Sequence, residues 1–147
     1  MEWRRGGYEI STDPQRLDLD LTHRFLSEEA YWSPGVPREV VQRAIDGSIV
    51  FGLYHDGKQV GMTRVVTDRA TFAWVCDVFV LADERGKGLG KWLMECVKSH
   101  PDLQGLRRWL LATSDAHGLY AQYGFTPVDP QRFMEIRDPD VYQRRGN

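Results

Sequence analysis

Apolar residues recur at helical spacing in the first part of the chain. They are Leu17, Leu21, Phe25 and Leu26, followed by Val40, Val41, Ala44 and Ile45. The first set predicts an amphipathic helix over about residues 18–30, and Pro34-Gly35 separates it from the second set. The second set predicts a helix that begins at Pro37 and ends at Gly47, because proline suits the first turn and glycine suits the position after the last.

Shorter apolar runs predict strands. They cover residues 8–11, 49–55, 60–67, 71–81 and 108–112, and a closing hairpin is predicted at 125–128 and 133–136. A tight turn at Asp56-Gly57 joins the second and third strands. A glycine-rich turn leads into a helix that stops before Pro101, and Asp115 is predicted to cap another helix that ends at Gly124. This order predicts an α/β protein of the α+β type, with a mixed sheet of about six or seven strands and about four helices.

Composition narrows the class of protein. The 147 residues predict one domain, residues 1–147, since domains usually have about 100–200 residues. Lysine and arginine total 19 against 21 acids, and the net charge of -2 argues against a general nucleic-acid or membrane partner. No apolar run is long enough to span a membrane, and the basic start is not followed by the apolar stretch of a secretion signal. We therefore expect a cytoplasmic domain.

Two cysteines, Cys76 and Cys96, lie within apolar segments. They form no Cys-x-x-Cys pair, and no histidine lies near either of them at the spacing of metal ligands. Buried free thiols in a reducing compartment are the expected state. The sequence therefore predicts neither a metal site nor a disulfide framework.

A glycine-rich turn between a strand and a helix is the strongest chemical signal. Its glycines alternate with cations: Arg85, Gly86, Lys87, Gly88, Gly90 and Lys91. Glycines let a ligand approach the backbone closely, and the amino end of a helix offers unpaired N–H groups to an anion. The spacing fits neither the dinucleotide-binding pattern nor the loop that binds nucleoside triphosphates. We predict a cradle for a diphosphate, although tight packing alone also produces such turns.

The pattern Arg-x-x-Gly-x-Gly begins at Arg85, after the strand residues Val78-Phe79-Val80. It resembles the acetyl-CoA-binding signature of the GNAT superfamily of N-acetyltransferases. A second segment, residues 116–125, is similar to another segment of that family, and the two occur in the family's order. The resemblance implies a single GNAT-like domain with a mostly antiparallel sheet and splayed central strands. It also implies acetyl-CoA as the acyl donor, a primary amine as the acceptor and no metal.

The resemblance assigns donor-binding residues to the strand and the turn. They are Val78, Phe79, Val80, Arg85, Gly86, Lys87, Gly88, Leu89, Gly90 and Lys91. The amides after Arg85 would hold the diphosphate of CoA, and the backbone of Val78 and Val80 would face the pantetheine arm and the thioester. An ordinary core strand is the alternative for both valines. The two interpretations are compatible, because only backbone atoms would take part in binding.

Tyr120 lies four residues before Gly124, where the family has a tyrosine that protonates the departing CoA thiolate. A phenol with a pKa of about 10 stays protonated at neutral pH and can protonate a thiolate whose thiol has a pKa of about 8.5. The resemblance therefore implies that Tyr120 is the general acid, and the alternative is a tyrosine that only packs on the sheet. Tyr123 does not match the family's spacing and is expected to pack.

Asp77 interrupts the apolar run at residues 70–82. An unpaired carboxylate there would cost several kcal/mol, and burial would raise its pKa towards neutrality, which suits a base that takes a proton from an amine. The segment resembles a strand of diamine acetyltransferases in which acidic residues serve the amine, although Cys76 stands in place of a second acid. The alternative is a structural Asp77 that pairs with an arginine or bonds to the backbone.

The loop after the first helix usually lines the acceptor site in the GNAT family. Here it contains Glu28, Glu29, Tyr31 and Trp32. Acids beside aromatic rings suit a cationic amine, and a solvated helix end with aromatic packing is the alternative. The expected function is acetyl transfer to a small amine. A protein lysine or amino terminus as acceptor, and a non-catalytic acyl-CoA-binding sensor, are the alternatives. The resemblance also implies a homodimer, with Tyr142 at its interface.

Overall fold

A six-stranded mixed sheet organises the protein, whose computed structural model describes residues 1–145. The strands are β1 (Glu2–Arg5), β2 (Tyr8–Ser11), β3 (Ile49–His55), β4 (Lys58–Thr67), β5 (Phe72–Val80) and β6 (Arg108–Leu111). Their order across the sheet is their order in the chain. All neighbours are antiparallel except β5 and β6, which run parallel. The predicted fold class, a mixed and mostly antiparallel sheet, is confirmed.

The described residues also form five α-helices. They are α1 (Leu19–Arg24), α2 (Arg38–Asp46), α3 (Leu89–Ser99), α4 (His117–Ala121) and α5 (Val141–Arg145). A π-helical turn, Phe25–Glu29, continues α1, so that the two together cover the predicted first helix. Gly47 ends α2 as predicted, and its amide donates to the Arg43 carbonyl. No helix within residues 1–145 is long and apolar enough to cross a membrane.

The two faces of the sheet carry different helices. Along β3, Phe51 and Leu53 belong to the apolar cluster under α3, whereas Val50 belongs to the cluster under α1 and α2. Because alternate residues of a strand point to opposite sides, α3 covers one face and α1 with α2 covers the other. We call these the α3 face and the α1–α2 face.

A bulge in β5 changes the face that its side chains meet. The register with β4 shifts between Met62 and Arg64, where β5 has one extra residue. Asp77 lies at this bulge with a φ of 54°, in the left-handed region that residues other than glycine rarely adopt. Ala73 and Val75 face α3, and simple alternation would turn Asp77 the same way. The extra residue turns Asp77 to the α1–α2 face instead.

Strand β5 extends past β6. Their parallel pairing ends at Val75 opposite Leu111, while β5 continues to Val80 with β4 along its other side. Beyond Val75, the edge of β5 that faces away from β4 pairs with no strand among residues 1–145. This opening is the splayed arrangement that the family resemblance implies.

The predicted hairpin at residues 125–128 and 133–136 is wrong, since both segments are irregular. Pro127 has no N–H group and cannot complete the hydrogen-bond ladder of a paired strand. Met134 and Ile136 are 98% and 104% exposed, so the second segment has no apolar face against which to pack. As a result, β6 is an edge strand among the described residues. A cleft of about 370 Å³ lies between it and residues 123–133.

The predicted cap of α4 is also wrong. The helix begins at His117 after the N-cap residue Ala116, and not after Asp115. The hydroxyl of Thr113 accepts hydrogen bonds from the amides of Asp115 and Ala116, at 3.3 and 3.0 Å. The threonine therefore organises the turn that precedes the helix, which is a role that serine and threonine hydroxyls often fill.

Candidate active site

The amino end of α3 presents a run of free backbone amides. From Gly86 to Lys91, these amides donate to no acceptor within residues 1–145. Gly88 is the N-cap, with a φ of 77° and no capping side chain. A Cβ at Gly86, Gly88 or Gly90 would meet no atom within 4 Å, so the space in front of the turn is open. Free N–H groups at the positive end of a helix suit a diphosphate.

Three cations accompany these amides in different arrangements. Arg85 turns back, and its Nε donates to the Val80 carbonyl at 2.9 Å. Lys87 forms an ion pair with Glu84 at 2.8 Å. Lys91 is exposed and has no ion-pair partner in the described part of the chain. It is therefore the cation that can meet a ligand anion without first leaving a protein partner.

Glu84 collects hydrogen bonds from three parts of the chain. It accepts from the Tyr8 hydroxyl of β2 at 2.5 Å, from Nδ1 of His55 of β3 at 2.8 Å, and from Lys87 at 2.8 Å. The rings of Tyr8 and His55 stack at a centroid distance of 4.2 Å. The hydrogen bonds, that from Lys87 first, lower the pKa of Glu84 to about 2. We call these four residues the Glu84 cluster.

Tyr120 lies beside the open part of β5. It is 8% exposed and packs in a cluster with Met94 of α3 and Val78 of β5. Burial raises the pKa of the phenol, and the nearby Asp115 and Tyr31 add to this shift. No described residue forms a hydrogen bond with the Tyr120 hydroxyl, so its O–H group has no protein acceptor. The side chain thus both packs on the sheet and keeps an available acidic proton.

Two further tyrosines link the segments around Tyr120. The Tyr123 hydroxyl donates to the Lys91 carbonyl at 3.0 Å and so joins the turn after α4 to the start of α3. The Tyr31 hydroxyl accepts from the Ser114 amide at 3.1 Å, which joins the loop after α1 to the loop before α4. Tyr123 therefore has the packing role that its spacing predicts.

The four residues predicted for the acceptor site divide into two pairs. Tyr31 and Trp32 pack edge to face, with ring centroids 5.0 Å apart. Glu28 and Glu29 are exposed in the π-helical turn and do not line the pocket between the helices and the sheet. Of the four residues, Trp32 alone lines that pocket; Tyr31 packs beside it, and the two acids are exposed.

Asp77 is paired through both carboxylate oxygens. Its Oδ2 accepts from Nε of Arg64 at 2.5 Å, and its Oδ1 accepts from the indole N–H of Trp32 at 2.9 Å. Arg64 also donates to the Ser48 hydroxyl at 3.1 Å. The sequence left two roles open for Asp77, and the structure has the arginine-paired arrangement. Arg64 itself was missed, although a cation within an apolar strand is a signal that a carboxylate lies nearby.

A pocket of about 170 Å³ lies between α1, α2 and the sheet, with Asp77 and Arg64 at its sheet end. We call it the α1–α2 pocket. Most of its lining is apolar: Leu26, Val36, Val40, Val41, Ala44, Ile45 and Met62. Trp32, Tyr142 and the polar residues Thr22 and Ser33 complete the lining. Tyr142 is half-buried and packs against the cluster on the α1–α2 face.

Both cysteines are free thiols. Burial raises the pKa of Cys76 to about 11 and that of Cys96 to about 12. Each therefore stays a protonated thiol near neutral pH, which makes it a poor nucleophile. Residues 1–145 contain no group of three or more side chains placed to bind a metal ion.

Comparison with known proteins agrees with this geometry. The model of the acetyltransferase (GNAT) domain family matches residues 46–127, more than half of the chain. A Gibberella zeae protein that bears the name "Putative acetyltransferase" is 33% identical over 142 residues, which cover 82% of this chain and 79% of that protein. A GNAT-family protein from Xanthomonas campestris pv. campestris is 55% identical. Its crystal structure has a TM-score of 0.90 and the match covers 92% of this chain and 96% of that one.

More distant structures share the fold alone. Glucosamine-6-phosphate N-acetyltransferase from Arabidopsis thaliana is 18% identical, with a TM-score of 0.63 over 89% of this chain and 99% of that one. The part of the chain that the family model matches contains the bulged strand β5, the free amides of residues 86–91 and Tyr120. The chain belongs to the GNAT acetyltransferase family.

Proposed function

We propose that this chain transfers the acetyl group of acetyl-CoA directly to a primary amine of a small molecule. One observation supports the proposal above all: the free edge of β5 has the unpaired amides of residues 86–91 beyond its end, and the Tyr120 side chain packs in one cluster with Val78 of that strand. The α1–α2 pocket reaches the same strand from the other face of the sheet. A thioester and an amine could therefore meet at β5 while both are bound.

The donor side fits an elongated ligand that ends in a diphosphate. The amides of the turn would bind the diphosphate, and Lys91 would add a free positive charge. The free edge of β5 around Val78 would hydrogen-bond an extended pantetheine arm as a neighbouring strand would. Phe79 and Leu89 are buried and would support the strand and the turn by packing rather than by contact with the donor.

The reaction moves one proton from nitrogen to sulfur. The neutral amine nitrogen attacks the thioester carbonyl carbon, the new C–N bond forms, and the electron pair of the C–S bond leaves with sulfur. The nitrogen then gives up one proton to solvent water, and a proton from solvent would restore the Tyr120 phenol after it has protonated the thiolate. Backbone N–H groups on the free edge of β5 would stabilise the negative charge on the carbonyl oxygen. Tyr120 would then protonate the thiolate, since its raised pKa keeps the phenol in its acid form.

Direct transfer is favoured over a route through an acetylated cysteine. Cys96 is 2% exposed, and burial keeps both Cys76 and Cys96 in the thiol form. An attack on a thioester needs the thiolate, so neither side chain is suited to take the acetyl group first.

Replacement of Tyr120 by phenylalanine tests the role of the acid. We expect Tyr120→Phe to bind acetyl-CoA with an unchanged Kd in calorimetry and to lower kcat at least about tenfold, because only the proton donor is lost. Tyr54→Phe is the matched control. Tyr54 is also buried, and its hydroxyl has no hydrogen-bond partner within residues 1–145, so its loss should leave kcat unchanged.

Two results would contradict the proposal at different levels. If Tyr120→Phe keeps the kcat of the unchanged chain, another group protonates the thiolate. If the chain binds acetyl-CoA and acetylates no amine of a broad library, as judged by mass spectrometry, it is a binding module and not a transferase.

A further inference from the structure

The α1–α2 pocket is small and has aliphatic walls. Its lining includes Met62 of β4, Leu26 of the π-helical turn, and Val41, Ala44 and Ile45 of α2. Met62, Val41 and Ile45 are at most 4% exposed, so these walls are fixed by core packing. A ligand in the pocket would meet mostly apolar side chains, with Thr22 and Ser33 as the uncharged polar ones.

The volume sets the size of the group that fits. The pocket holds about 170 Å³. An apolar cavity of about 150 Å³ can hold a benzene ring, so this pocket has room for about five or six heavy atoms. A pentyl chain or a phenyl ring fills such a space, whereas a long polyamine or an aminoglycoside exceeds it.

The charges in the pocket are already paired with each other. Asp77 accepts from Arg64 at 2.5 Å and from Trp32 at 2.9 Å, so the one carboxylate in the lining has partners on both oxygens. Glu28 and Glu29 lie outside the lining. A second ammonium group on the acceptor would enter the aliphatic end of the pocket with no counter-ion, and burial of an unpaired charge is strongly unfavourable.

We propose that the α1–α2 pocket selects monoamines whose nitrogen is attached to a compact apolar group of about five or six heavy atoms, and rejects diamines and polyamines. This inference rests on the proposed acetyl transfer and adds the substrate class. The nitrogen stays at the sheet end, beside Asp77 and the free edge of β5, and the apolar group extends towards Ala44 on α2.

A chain-length series tests the inference in the full chain with saturating acetyl-CoA. From ethylamine to pentylamine, kcat/KM should rise by about fourfold for each methylene, since each one leaves water for the aliphatic walls. The rise should stop at about five or six carbons, where the pocket is full. Cadaverine has the chain of pentylamine with a second amine at its end, and its kcat/KM should be at least about tenfold lower.

Ala44 offers a way to fill the pocket. We expect Ala44→Phe to remove the gain from ethylamine to pentylamine while the Kd for acetyl-CoA stays unchanged. Ala44→Leu, a smaller change that is easier to accommodate, should shorten the preferred chain by one or more carbons. Ala70→Phe is the matched control, because Ala70 is exposed in the turn between β4 and β5 and lies outside the pocket.

The outcomes separate the two levels of the proposal. If kcat/KM for cadaverine equals that for pentylamine, the proposed apolar selection is wrong. The same holds if Ala44→Phe leaves the gain from ethylamine to pentylamine unchanged. Neither result would contradict acetyl transfer. If the chain binds acetyl-CoA but acetylates none of these amines and no amine of a broad library, the proposed acetyl transfer is wrong.

Discussion

His100 is a buried histidine at the end of α3, with 7% of its surface exposed. Its Nδ1 accepts a hydrogen bond from the Asp102 amide at 3.1 Å, and its ring meets Phe51 edge to face. Burial lowers the pKa of His100, so the folded chain holds this ring in the neutral form. A proton on Nδ1 would remove the acceptor and place a charge beside the core.

Acid should therefore destabilise the fold through His100. The unfolded chain binds the proton at the ordinary histidine pKa of about 6.5, whereas the folded chain resists it. The contribution to stability is complete above that pH and is lost as the pH falls below it. The free energy of unfolding in urea should fall between about pH 7 and about pH 5, and it should fall less for His100→Asn than for the unchanged chain. The asparagine keeps an acceptor for the Asp102 amide. An equally large fall in the free energy of unfolding of His100→Asn would show that other groups cause the acid sensitivity. His117→Asn, at an exposed site, is the control and should behave as the unchanged chain does.

Single residues were easier to detect in the sequence than their partners. Asp77 stood out because a carboxylate interrupts an apolar strand, but its partners Arg64 and Trp32 come from segments that the chain brings together only on folding. The bulge that turns Asp77 towards them depends on the register between β4 and β5. No local pattern of apolar and polar residues encodes that register shift.

At the scale of elements, the turn before α3 is the most sensitive point of the proposed donor site. Gly88 has a φ of 77°, and the free amides on both sides of it face open space. We expect Gly88→Glu to abolish acetyl-CoA binding in calorimetry, because a carboxylate would occupy and repel the position of the diphosphate. Gly105→Glu is matched in strain, since Gly105 has a φ of 71° and also faces open space, and its Kd should not change. Loss of binding in both variants would point to strain rather than to the site.

The exposure of the irregular segment after α4 can be tested by measuring the free energy of unfolding. Met134 and Ile136 are almost fully exposed, so the double change to serine should alter the free energy of unfolding by no more than about 0.5 kcal/mol. Ile45, which is 4% exposed, serves for comparison, and its change to alanine should cost about 2–5 kcal/mol. If the double variant loses more than about 2 kcal/mol, these side chains are covered in solution by a surface outside the monomer.

Elements with a buried apolar face could be predicted, and exposed ones could not. The strands that flank the Asp56-Gly57 turn and the helix after the glycine-rich turn lie close to their predicted positions. Strand β1 was missed because Trp3 is its one apolar residue and the strand is mostly exposed. The residues at 125–128 and 133–136 alternate as strands do, but alternation alone supplies no partner strand.

At the scale of the molecule, the Glu84 cluster connects the strands β2 and β3 to the glycine-rich turn, the proposed donor site. Tyr8 of β2 and His55 of β3 reach the same carboxylate that holds Lys87 of the glycine-rich turn. Donor affinity should therefore depend on residues far from the turn in sequence. The sequence pointed to the turn, but it gave no sign of this support, which exists only in the assembled sheet.

Glu84→Gln tests this support through two effects of opposite sign. Loss of a negative charge near the turn favours an anionic ligand, whereas loss of the ion pair frees Lys87 from its position. We expect the second effect to prevail and the Kd for acetyl-CoA to rise by about tenfold or more. Asp83→Asn removes the neighbouring exposed charge alone and should leave the Kd the same or slightly lower. A lower Kd in Glu84→Gln would show that charge, and not the position of Lys87, governs affinity.

The bulge at Asp77 affects how the two faces of the sheet can change in evolution. It turns neighbouring side chains of one strand to opposite layers, with Val78 towards Tyr120 and Asp77 towards the helices α1 and α2. The face that would bind the acyl donor and the face that would bind the amine therefore share the backbone of β5 but use almost entirely different side chains. Mutations can remodel the second face while the first is left intact, so one scaffold can acquire new preferences without rebuilding its chemistry.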